Sequence, residues 1–251
     1  MANALYIGLM SGTSMDGIDA ALLEIRDGKI ELRGHYSAAI STALRDDITA
    51  ISKPGDNEIE RCGILDRQIG QLFARAALDL MEKEKLNKTD IAAIGSHGQT
   101  IRHRPPSILP KEHAFTLQIG DPNTIAEQTG ITTVADFRRR DVAAGGEGAP
   151  LAPAFHNAAF RSESCARAIV NIGGISNVTL LNDDPAIGFD TGPGNTLLDA
   201  WIQKHKAEPF DRDGRWAASG QTQDTVLNKL LQIPYFATPP PKSTGKELFN
   251  L

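Results

Sequence analysis

The sequence predicts an α/β protein assembled from two similar halves, residues 1–150 and 151–251. Three observations carry that expectation. An apolar run, a polar glycine turn and a second apolar run open the chain in "YIGLMSGTSMDGIDAALLEI", and the same order returns after Ser164 in "CARAIVNIGGISNVTLLN". From Asn57 to Leu86, apolar residues recur at three- and four-residue intervals, the period of an amphipathic helix. Between the halves, composition shifts through the charged run Arg138–Asp141 to Gly145, Gly146 and Gly148 and then an Ala-rich helix candidate. A chain of 251 residues also exceeds the common domain size of roughly 100–150.

In chain order, Leu5–Met10, Ile18–Ile25 and Ile30–Ile40 read as successive strands, the last two joined by the hairpin pair Asp27-Gly28. The helix over 57–86 follows, with Cys62, Leu65, Ile69, Leu72, Phe73, Ala76 and Leu80 on one face. Ile91–Gly95 reads as a buried strand delivering "SHGQT" into a loop. Phe115–Ile119 reads as another, delivering "GDPN", in which Asp121 is placed to cap a helix starting at Pro122 or Asn123. In the second half, "AIGFDTGPGN" leads into the helix "TLLDAWIQKHK". Trp201 and Trp216 are expected in the core.

Composition narrows the partners. A net charge of -5, from 26 Lys+Arg and 31 Asp+Glu, gives no basic field for nucleic acid or an anionic membrane. Cys62 and Cys165 are the two cysteines, too far apart in sequence for a C-x-x-C motif, which favours a reducing compartment over a disulfide or zinc framework. The opening "MANALYIGLM" lacks a basic signal-peptide start, and no apolar run reaches the ~18–20 residues of a membrane span. A cytoplasmic protein with a small-molecule partner is expected.

A two-residue hairpin turn does not account for Ser11, Gly12, Thr13, Ser14, Asp16, Gly17 and Asp19 together. Backbone N–H groups of small-residue turns form anion-binding concavities, so "SGTSMDG" and "NIGGISN" are each a phosphate cradle or a structural turn, and their recurrence in both halves favours the cradle. Neither carries the lysine of a P-loop. Asp190 in "GFDTGPGN" is either a proton acceptor at a strand end, a cap for the following helix or a turn aspartate. Asp16 and Asp19 fit Mg²⁺ or ordinary turn chemistry. His97 and His103 read as hydrogen-bonding groups, and Arg138–Arg140 as a solvated face.

Taken together, "GLMSGTSMDGIDAAL", "GSHGQT", "LQIGDPNTIA", "GITTVADFRRRDVAAGGEGAPLAPAFH", "NIGGISN", "GFDTGPGN" and "PKSTGKELFN" resemble, in that order, the anhydro-N-acetylmuramic acid kinases, across Tyr6 to Asn250. The resemblance implies two ribonuclease-H-like lobes, of the actin-like ATPase kind, around a nucleotide cleft. It also implies ATP, Mg²⁺ and 1,6-anhydro-N-acetylmuramic acid as reactants, and a homodimer. Carried onto this sequence, it assigns the ATP phosphates to Gly12, Thr13, Ser14, Met15, Asp16, Gly17, Ile18 and Asp19, with Asp16 and Asp19 toward Mg²⁺. Gly173 and Gly174 would approach from the second lobe. Asp190 would be the general base, and Ser96, His97, Arg138 and Gly146 would line the sugar site. Such kinases continue for roughly a hundred residues past "PKSTGKELFN", so the second lobe is expected to be incomplete here and its adenosine contacts weakened.

Overall fold

The structure, a computed structural model, describes residues 4–12, 17–182, 185–240, 242–244 and 248–249. The chain divides into two compact units, Met1–Leu151 and Ala152–Leu251. In the first, β1 (Ala4–Ser11), β2 (Gly17–Arg26) and β3 (Lys29–Ala39) form an antiparallel meander. Asp27 and Gly28 both take positive φ at the β2–β3 turn, as a type I′ hairpin requires. Helices α1 (Thr42–Ile51) and α2 (Glu58–Lys83) then lead to β4 (Ile91–Arg104), which pairs parallel with β1. β5 (Phe115–Ile119), α3 (Pro122–Thr129), β6 (Thr133–Val134) and α4 (Phe137–Ala143) complete the unit.

Strand order is β3-β2-β1-β4-β5, with β6 parallel beside β4. An antiparallel three-stranded meander, a crossover helix and a fourth strand returning parallel to the first is the ribonuclease-H-like arrangement. Alternation along β1 and β2 puts Ile7, Leu9, Ile18, Ala20 and Leu22 on one face, where they meet Ile69, Phe73, Ala76, Ala77 and Leu80 of α2 in one core. The 26 residues of α2 extend about 39 Å, enough to cross the whole sheet. Asp121 caps α3 as expected, accepting from the Asn123 and Thr124 backbone N–H groups at 3.0 and 3.1 Å.

β4 departs from the sequence expectation, because "SHGQT" is strand, not loop. The two-residue step from Leu9 to Ser11 on β1 matches a three-residue step from Ser96 to Gln99 on β4, so one extra residue is taken up in a bulge at Gly98. Gly98 has φ +74°, and a Cβ there would lie 2.7 Å from the Ile119 carbonyl oxygen. Beyond the bulge the strand continues, paired antiparallel with β5 from Gln99 to Arg104.

The second unit starts with α5 (Ala152–Phe160), followed by an antiparallel meander of β7 (Ala168–Ile172), β8 (Ile175–Leu180) and β9 (Ile187–Pro193), and by α6 (Asn195–Lys206). Short helices α7 (Arg215–Ala218), α8 (Asp224–Leu231) and α9 (Pro234–Ala237) come after. Meander then helix repeats the opening of the first unit. Its described core is small, with Leu181, Ile202 and Phe249 as the buried apolar side chains. Trp201 is not in the core: it is 48% exposed, because Ile202 takes the buried position of α6 and its neighbour is rotated about 100° away. The indole instead lies against His205, ring centroids 4.2 Å apart.

Candidate active site

The polar segment between β1 and β2 is closed at its base by Ser11, a residue of the polar turn that its buried side chain ties to the fold. Ser11, the last residue of β1, directs its hydroxyl to the Gly17 carbonyl oxygen at 3.1 Å and to Gln99 Oε1 at 2.7 Å. Gly12 and Gly17 flank this closure. Thr13, Ser14, Met15 and Asp16 lie outside the described residues. Gly17 has a packing reason for its identity, since a Cβ would stand 2.9 Å from the Ala38 carbonyl oxygen of β3. Ile18 is 1% exposed with its side chain in the core, so only its main chain is left to meet a ligand. Asp19 lies on the opposite, exposed face and accepts a 2.5 Å hydrogen bond from the Ser37 hydroxyl.

The candidate sugar residues are divided by the alternation of β4. Ser96 shares the buried face with Ile94, and its hydroxyl, 1% exposed as a residue, has no hydrogen-bond partner among the described residues. His97 points to the other face, where Arg138 donates from Nε to His97 Nε2 at 2.7 Å. Guanidinium groups only donate, so Nε2 must be the accepting nitrogen, and the imidazole proton resides on Nδ1, 2.8 Å from the Gly98 carbonyl oxygen. Burial pushes the His97 pKa below its ordinary value. The Gly98 hydrogen bond opposes that, and the charge of Arg138 adds to it.

Arg138 corrects the solvated-face reading of the arginine run. Arg139 and Arg140 are exposed, but Arg138 is half-buried and reaches His97 of β4. Its Nη1 reaches the Gly148 carbonyl oxygen at 3.4 Å. Among the described residues, no carboxylate lies within ion-pair distance of it. The glycine-rich loop after α4 is folded back by Asp141, whose Oδ2 accepts from the Gly148 N–H at 2.7 Å. Asp141 also explains Gly146, since a Cβ there would collide with this carboxylate. Nearby, His103 Nδ1 meets Thr116 Oγ1 at 3.0 Å, so both histidines are hydrogen-bonding groups, as the sequence suggests.

In the second unit, Asp190 is held on several sides. Its N–H donates to the Lys242 carbonyl oxygen at 3.0 Å, and its own carbonyl oxygen accepts from the Tyr235 hydroxyl at 2.7 Å. Its Oδ2 accepts from the Ser243 hydroxyl at 2.8 Å and the Thr244 N–H at 2.9 Å. Oδ1 accepts no hydrogen bond from the described residues. The alternative role as helix cap is not taken: the cap position of α6 belongs to Gly194. Tyr235 is pushed up to about 12, by burial first and the Asp190 charge second, so it remains a donor at neutral pH. Ser243 and Thr244 stand in the quoted "PKSTGKELFN", but nothing in their spacing ties them to a residue 53 positions earlier.

Gly173 and Gly174 turn the chain from β7 to β8. Their carbonyl oxygens accept from Asn195 N–H at 2.8 Å and from Gly194 and Thr196 N–H at 2.9 and 3.2 Å. These are the first amides of α6, so that helix start is satisfied by the glycine turn itself.

A ribonuclease-H-like unit with a glycine-flanked polar hairpin, followed by a second meander whose last strand presents a braced carboxylate, defines an α/β protein of the ribonuclease-H-like class. The chain belongs to the anhydro-N-acetylmuramic acid kinase family, whose description it matches over residues 4–251. It is 56% identical over 252 aligned positions to the anhydro-N-acetylmuramic acid kinase of Shewanella baltica (strain OS185), and 55% identical to that of Shewanella sp. (strain ANA-3). Each alignment covers 100% of this chain and 67% of the relative's length.

Proposed function

We propose that the protein is an ATP-dependent kinase that hydrolytically opens 1,6-anhydro-N-acetylmuramic acid and phosphorylates it, giving N-acetylmuramic acid 6-phosphate in cell-wall recycling. Family membership over nearly the whole chain carries the reaction, and the braced carboxylate of Asp190 supports the assignment of its base. Residues 1–150 and 151–251 form the two lobes in this reading, and the protein acts in the cytoplasm as a homodimer.

Asp190 takes a proton from water on Oδ1 while Ser243 and Thr244 hold Oδ2. The water oxygen bonds to the anomeric carbon as the bond from that carbon to the bridging oxygen breaks. The released bridging oxygen attacks the terminal phosphorus of ATP, and ADP leaves. A positioned base contributes typically ~10²–10⁴-fold, and alignment of the three reactants supplies much of the remainder. Gly12 to Asp19 hold the phosphates, with Gly173 and Gly174 as a second approach. His97, Arg138 and Gly146 line the sugar side, and Ser96 meets it through its main chain, since its side chain lies on the opposite, buried face of β4. Muramic acids carry a carboxylate, and a half-buried guanidinium without an anionic partner among the described residues suits it.

Asp19 presents an exposed carboxylate of the hard-oxygen type that Mg²⁺ takes, one or two of which usually suffice beside phosphate oxygens and waters. Asp19, with Asp16, would hold the ion, which when bound neutralises charge on the phosphates. ADP release measured with ATP and either the anhydro sugar or ordinary N-acetylmuramic acid tests the function. Turnover with the anhydro sugar is expected. Turnover with the open sugar alone would make it a different sugar kinase, and none with either would point to a non-catalytic module.

A further inference from the structure

Ser11 and Gln99 are 2% and 1% exposed, a polar pair buried beside the apolar core of the first unit. Burying two such groups is costly unless each is satisfied, and apolar residues would fill the same space without that cost. Both are hydrogen-bonded, and the bonds of Ser11 link separate segments. The Ser11 hydroxyl has one proton, shared between the Gly17 carbonyl oxygen at the start of β2 and Gln99 Oε1 on β4. Gln99 Nε2 in turn donates to the Thr100 carbonyl oxygen at 3.1 Å, which fixes its amide orientation. Ser11 and Gln99 are register partners only because the Gly98 bulge adds a residue to β4. That same glycine carbonyl receives the Nδ1 proton of His97, the residue that holds Arg138.

We propose that Gln99 is a positioning residue that, through Ser11, fixes the two strand ends flanking the phosphate-binding segment. This inference rests on the kinase reading of that segment. Gln99 touches no reacting atom. Its oxygen holds the Ser11 hydroxyl in the rotamer that reaches Gly17, so the end of β1 and the start of β2 keep one separation before nucleotide arrives. Free energy that would otherwise go into ordering those ends is then available for binding.

The test is a double-mutant cycle with Ser11→Ala, Gln99→Met and the pair together, titrating ATP with Mg²⁺ and the anhydro sugar separately by calorimetry, with melting temperatures alongside. Each single variant is expected to bind ATP about tenfold more weakly, as for loss of one buried neutral hydrogen bond. The double variant should bind no worse than the weaker single, and sugar affinity should stay within about twofold of wild type. Multiplying losses in the double variant, equal losses for sugar and ATP, or unchanged ATP affinity would each overturn the proposal. If Gln99→Met does not fold, Ser11→Ala, which removes a single heavy atom, carries the same expectation alone. A wild-type chain that binds no nucleotide overturns the kinase reading and this inference with it, whereas nucleotide binding equal in wild type and variants overturns this inference only.

Discussion

Arg138 Nε donates to His97 Nε2 at 2.7 Å, so a histidine rather than a carboxylate orients the half-buried guanidinium. A carboxylate partner would neutralise the cation, whereas a neutral imidazole fixes its direction and leaves its charge for a ligand. Arg138→Met should therefore raise the KM for the anhydro sugar about 30- to 100-fold, the usual worth of a charge-assisted hydrogen bond, with little change in the KM for ATP. Steady-state kinetics with each substrate varied in turn checks this. A larger effect on ATP than on sugar would place Arg138 at the phosphates instead.

Stability should fall on acidification. Burial lowers His97, His103 and His156 below the ordinary histidine value, with the Arg138 charge adding to the first two. The unfolded chain therefore takes up protons near pH ~6.5, before the folded one does. The contribution is complete above that pH and is lost as pH falls through the lower folded-state values. Urea midpoints measured from pH 7.5 to 5 should decline, and less steeply in His97→Gln, which keeps an acceptor for Arg138 but does not titrate. A midpoint that rises toward pH 5 would contradict the neutral assignment of these imidazoles.

Gly98→Ala should destabilise the first unit by about 1–3 kcal/mol, because it combines a positive φ with a Cβ against the Ile119 carbonyl oxygen. Since the bulge sets the register of Gln99 against Ser11, nucleotide affinity should drop as well. Denaturant unfolding gives the first quantity and calorimetry the second. An alanine variant as stable as wild type would show that β4 tolerates a regular register.

Local chemistry made part of this legible in the sequence. Asp27-Gly28 specifies its own hairpin, Asp121-Pro122 its own helix start, and the apolar stripe of α2 its buried face, each from residues within a few positions of one another. What escaped depends on contacts distant in sequence. "SHGQT" reads as a loop because its small and polar residues are atypical of strands, and only pairing with β1 and β5 holds it extended. Arg138 belongs to a charge run, and its burial comes from one face of a two-turn helix meeting His97, 41 positions away. Trp201 looks like core until Ile202 takes that place. The partners of Asp190 come from a segment more than fifty residues later.

Asp190→Asn should leave the fold nearly intact. The Lys242 and Tyr235 contacts involve the main chain, and the asparagine oxygen can still accept from Ser243 and Thr244. Turnover should fall at least ~10²-fold, since an amide does not take the proton from water. A variant with melting temperature and kcat both near wild type would remove Asp190 from the mechanism.

The path of oxygen tests the central claim most directly. If Asp190 activates water toward the anomeric carbon while the bridging oxygen attacks ATP, turnover in ¹⁸O-labelled water, quenched before solvent exchange and analysed by fragmentation mass spectrometry, should place the label on the anomeric hydroxyl and none in the phosphate ester. Label in the ester linkage would mean that water opens the ring at the other carbon, and would contradict the account.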